Sequence, residues 1–118
     1  MSNKINLNYV IIFFFISYLI FGHIVFVDYS VTPDELLHRE AGFISLKFLI
    51  DLFSLNFELP NYQNIPDLNS DWRKSYGVLF DLPAAMIEII FKLNINEAYV
   101  LRHYLTFLIY FTGIIYFY

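Results

Sequence analysis

The sequence predicts an all-α membrane protein, with two transmembrane helices joined by a long loop that carries two amphipathic juxtamembrane helices. Three observations predict it. Hydrophobic residues make up 58% of the 118 and aromatic residues 21%, well above ordinary globular usage. Two apolar runs near the ends are each long enough to cross a hydrocarbon core about 30 Å thick at about 1.5 Å per residue. Between them lies a polar segment holding all eleven acidic residues, from Asp28 to Glu97.

The first run, residues 9–27, reads YVIIFFFISYLIFGHIVFV, with His23 as its one ionisable group. It is long for the core of a cleaved signal peptide, has almost no basic leader and is followed by no small-x-small cleavage site, so it is taken as an anchoring helix. The second run, residues 98–118, reads AYVLRHYLTFLIYFTGIIYFY. Asn96 is its expected cap and Glu97 falls in its first turn. Arg102 and His103 lie near the start, where a long side chain can reach back to the interface. The sequence stops where this helix would leave the membrane, as the front end of something larger would. Lys4 and the terminal amine precede the first crossing. With acidic residues crowded into the loop, the expected topology is a short cytoplasmic N-terminus (1–8), an extracytoplasmic loop (28–97) and a location in the cytoplasmic (inner) membrane.

Within the loop, Thr32-Pro33-Asp34-Glu35 places Thr at an N-cap, Pro at the first helical position and Glu at the third, which predicts a capping box and a helix over about 33–56. Glu40, Lys47, Asp51 and Ser54 then share one narrow polar stripe in an otherwise apolar surface, the pattern of a helix lying in the membrane interface. Residues 56–75, with Pro60, Pro66 and several Asn and Asp, read as an irregular loop. Trp72, Arg73 and Lys74 are expected to mark its return to the headgroup layer. A second amphipathic helix is expected over about 82–93, capped by Asp81, with Glu88 spaced to pair with Lys92.

Composition also excludes some chemistry. Without cysteine there is no disulfide framework and no thiolate nucleophile or ligand. A net charge of -4 and the lack of a basic stripe argue against a nucleic-acid partner.

The chemistry-bearing cluster is TPDELLHREAG, residues 32–42. Asp34 and His38 are four apart and Glu35 and His38 three apart, so one helical face presents carboxylate and imidazole together. That face suits a proton acceptor or part of a divalent-cation site built on Asp34 and His38. The same acidic residues also suit a helix's first turn for purely structural reasons, because they offset the macrodipole. Asp81 as a cap, Tyr76 and Gly77 as a turn, and a snorkelling Arg102 are the corresponding structural readings elsewhere.

Taken together, Pro33-Asp34-Glu35 with His38 and Gly42, then SYGVLFDLP at 75–83, then YVLRHYLTFL at 99–108, resemble the opening portion of the GT-C glycosyltransferases. Within these, the likeness is to the group of protein O-mannosyltransferases and lipid A aminoarabinose transferases (glycosyltransferase family 39-like). The resemblance implies transfer of a sugar from a polyprenyl-phosphate donor to an acceptor on the outer membrane face. It maps the family's first-loop acidic residue to Asp34, as base or orienting group for the acceptor, with Glu35 beside it. It makes His38, Tyr76, Asp81 and Arg102 candidate substrate contacts. Its partners would be the lipid-linked sugar, membrane lipid and the remaining helices of the enzyme or a partner subunit. The competing expectation is a small two-crossing membrane protein that binds a partner complex and catalyses nothing.

Overall fold

The computed structural model describes residues 7–118, so the N-terminal segment expected at 1–8, with Lys4, lies outside the described residues except for Leu7 and Asn8, which already belong to the first helix. Among the described residues the chain is helical, with no strand. Four α-helices follow in order: α1 (Leu7–Val25), α2 (Pro33–Phe53), α3 (Val78–Ile90) and α4 (Ile95–Phe117). Two of them, α1 with its short 3-10 extension and α4, are long and apolar enough to cross a membrane. The chain divides into two compact units, the first holding α1 and residues 102–118 and the second residues 30–101.

In the first unit, aromatic rings from α1 and the later part of α4 interdigitate. Tyr18 stacks on Phe111 with centroids 6.1 Å apart, and Phe26 lies 4.9 Å from Tyr104. His23 meets the Tyr104 ring edge at 5.4 Å. Most other α1 side chains face outward: 6% of its apolar window is buried, and 11% of the α4 window.

The second unit is built on α2 packed against α3. Small residues make the approach close: Ala41, Gly42 and Ser45 of α2 face Ala84 and Ala85 of α3, all buried. A Cβ added to Gly42 would fall on the Asp81 backbone, 3.0 Å from its carbonyl carbon and 3.3 Å from the Ala85 Cβ. Glycine is therefore required here by proximity rather than by backbone angle. Below the crossing, Leu46, Ile50, Leu59 and Ala85 form the apolar core, with Phe43, Ile65, Leu82 and Ile89 against it.

Helix ends depart from expectation in instructive ways. Thr32 sits at the N-cap of α2 with extended backbone and Pro33 follows, but the Thr32 side chain makes no cap hydrogen bond. The helix stops at Phe53, not near 56, because Ser54 turns left-handed (φ 50°). Ser54 N then donates to Asp51 O and Leu55 N to Ile50 O, the paired bonds of a Schellman ending. Helix α3 starts at Val78, four residues before the expected start, so Asp81 lies inside its first turn and is buried rather than capping it. Pro83 falls within the helix and forfeits one backbone bond, to Leu79, a residue 92% exposed. Lys92, with φ 52°, closes α3 by the same Schellman pattern and so is not helical. The expected Glu88–Lys92 pair is replaced by one between Glu88 and Arg39. Helix α4 is capped by Asn94, not Asn96: Asn94 Oδ1 accepts from Asn96 N and Glu97 N, and Glu97 Oε2 accepts from Asn94 N at 2.8 Å.

Candidate functional site

The first three turns of α2 carry the site. Asp34 and Glu35 stand in the opening turn, placed there because Pro33 starts the helix and acidic groups suit its positive end. Asp34 is exposed, and its carboxylate carries no ion pair among the described residues. One turn on, His38 reaches across the helix crossing, and its Nδ1 donates to Asp81 Oδ2 at 2.9 Å. The Asp81 side chain is 4% exposed and that of His38 45%, so the ring covers the carboxylate and shows its other edge outward. Tyr76 fixes the ring plane, meeting it edge-on at 5.0 Å and 86°, and Trp72 backs Tyr76 at 5.6 Å.

This geometry brings three of the expected site residues together: His38, Tyr76 and Asp81. Asp34 does not share a carboxylate pair with Asp81; the residue of α2 that reaches Asp81 is His38. Asp81 is thus placed to orient the imidazole. A divalent cation on Asp34 and His38 finds no supporting third group, since no cluster of three or more His, Cys, Asp or Glu side chains suited to a metal occurs among the described residues. Arg102 belongs to the other unit, where it is buried, 4% exposed.

Next to His38, Arg39 makes a second pair across the helix crossing. Its Nε donates to both oxygens of Glu88 at 3.0 and 3.1 Å, and Nη2 donates to Oε1. Glu88 is buried and α3 is held to α2 at two successive points, His38–Asp81 and Arg39–Glu88. Nothing in local spacing signals this second pair, whose members are 49 positions apart.

Of the polar stripe expected along α2, Glu40, Lys47 and Asp51 lie on the helix and bond the loop, while Ser54 falls past its end. Arg73 donates to Glu40, Lys47 Nζ donates to Ile65 O at 2.7 Å and to Asp67 at 2.8 Å, and Tyr62 donates to Asp51. Arg73, expected among headgroups, is largely buried between Glu40 and Asp71. Its guanidinium bonds hold the Asp71 carboxyl down at about 2, below the ordinary 3.8, and Asp71 in turn raises Arg73. The bond to Asp51 raises the Tyr62 phenol. An open recess of about 400 Å³ lies beside Lys47, Phe48 and Asp51, a by-product of clamping the loop to the helix.

No family model, curated protein or solved structure matches this chain.

Proposed function

We propose that this chain is the opening, membrane-embedded portion of a GT-C-type glycosyltransferase. It would move a sugar from a polyprenyl-phosphate donor to an acceptor at the outer face of the cytoplasmic membrane, with Asp34 as the carboxylate, base or orienting group, that serves the acceptor. The observation that carries this reading is the His38–Asp81 bond. It joins two of the three stretches that carry the resemblance, residues 33–42 and 75–83, across 43 positions of sequence and within one packed unit.

The rest of the architecture is consistent with a membrane setting. Apolar side chains on α1 and α4 point outward, whereas a soluble core helix is mostly buried. On α3, Leu79, Pro83, Met86 and Ile90 form an exposed stripe at helical spacing, opposite the face packed on α2. Such a stripe on a short helix that runs into an apolar one is best satisfied in the membrane interface. The loop then lies on the extracytoplasmic side. A single essential carboxylate is chemically adequate, because a phosphate leaving group needs no general acid.

The test is transfer of radiolabelled sugar from a polyprenyl phosphate in membranes that contain the complete gene product. Asp34→Asn is expected to cut transfer by about 100-fold or more while the protein stays in the membrane fraction. Transfer that persists in the variant removes Asp34 from the reaction. Wild-type membranes without transfer remove the activity and leave the partner-binding protein standing.

A further inference from the structure

We infer that His38 Nε2 is the atom that takes the proton from the acceptor hydroxyl and that Asp81 is the residue that sets it to do so, an inference that rests on the transfer reading above. A carboxylate oxygen only accepts, so Asp81 holds the proton of a neutral imidazole on Nδ1, 2.9 Å away. The lone pair is then on Nε2, at the opposite edge of the ring. Nε2 makes no hydrogen bond among the described residues, and nearly half of the side chain is exposed. Tyr76 stands edge-on to the ring, and Asp81 is held where its own backbone meets Gly42. A buried carboxylate, a fixed tautomer and an accessible second nitrogen together make an oriented base.

In the step, the acceptor oxygen forms a bond to the anomeric carbon of the sugar. The bond from that carbon to the phosphate oxygen breaks, and its electron pair leaves on the polyprenyl phosphate. The hydroxyl proton passes to Nε2, and the resulting imidazolium is stabilised by Asp81 and later gives its proton to water. Asp34, one turn earlier, then keeps the orienting role on the acceptor, so both residues are needed.

The experiment uses the same membranes and labelled donor. His38→Asn retains an amide nitrogen near the Nδ1 position to bond Asp81 but lacks Nε2, so it separates structure from chemistry. It is expected to lower kcat by about 100-fold or more with KM little changed. Imidazole added to His38→Ala is expected to restore at least about tenfold of the lost rate, as befits a missing base. Asp81→Asn, which weakens the bond that orients the ring, is expected to lower kcat by about tenfold with KM unchanged. Full activity in His38→Asn overturns the inference, and if Asp34→Asn is inactive beside it, the transfer reading survives. Should His38→Asn fail to accumulate, the imidazole experiment decides: no rescue overturns the proton role. No transfer by the wild type overturns both.

Discussion

Replacing Gly42 by Ala tests the packing on which the site depends. The added methyl would sit 3.0 Å from the Asp81 carbonyl carbon and 3.3 Å from the Ala85 Cβ, with the carbonyl oxygen closer still. Carbon atoms settle at about 3.5–4.0 Å, so α3 must retreat by roughly half an ångström or more at its most crowded point. The obstacle is backbone, which cannot rotate aside as a side chain can. Overpacking of this kind costs about 1–3 kcal/mol, partly offset by the better helix propensity of Ala, about 1 kcal/mol. The net expectation is a loss of up to about 2 kcal/mol, which corresponds to a fall of up to roughly 15 °C in the melting temperature of a unit this size. The assay is thermal unfolding in detergent micelles followed by circular dichroism. Gly113→Ala is the control, because a Cβ there meets nothing within 4 Å. A Gly42→Ala protein that melts with the control refutes the close approach. The same variant should weaken the His38–Asp81 bond, so any transfer activity falls with stability.

Further outcomes follow from the helix ends and the loop clamp. Ser54 and Lys92 occupy left-handed backbone at φ 50° and 52°, a conformation that costs a residue with a Cβ about 1 kcal/mol or more; Ser54→Gly and Lys92→Gly should each raise the melting temperature by a few degrees, and a fall would show that their side chains, not their backbone angles, matter. The Asp71 carboxyl, lowered to about 2 by its bonds to Arg73, stabilises the fold fully above pH 3.8. That contribution is lost as pH falls through about 2, so acid unfolding between these values should be blunted in Asp71→Asn, and an unchanged acid profile would show the pair contributes nothing.

Several features were legible because they are local. Long apolar runs announce themselves in composition, and Pro33 with Asp34 and Glu35 marks the start of α2 whatever surrounds it. Helix ends were less legible. Asp81-Leu82-Pro83 reads as a cap followed by a first turn, yet packing of Asp81, Ala84, Ala85 and Glu88 on α2 carries the helix back to Val78 at the expense of one exposed backbone bond. Likewise Asn94 and Asn96 are equally good caps by type, and only the geometry of Glu97 distinguishes them.

Partners were the least legible of all. His38 could be placed on a helix face with Asp34 from spacing alone, but its bond to Asp81 spans 43 positions, and the Arg39–Glu88 pair spans 49. The sequence by itself determined that the chain is helical, which two helices are apolar enough to cross a membrane, and which residues open α2. Only the tertiary structure shows that Asp81 bonds His38 rather than capping α3, and that the polar side chains of α2 face its own loop. The physical reason is that helix formation and apolarity are properties of contiguous residues, whereas the pairing of buried charges is set by which surfaces meet when Gly42 lets two helices close.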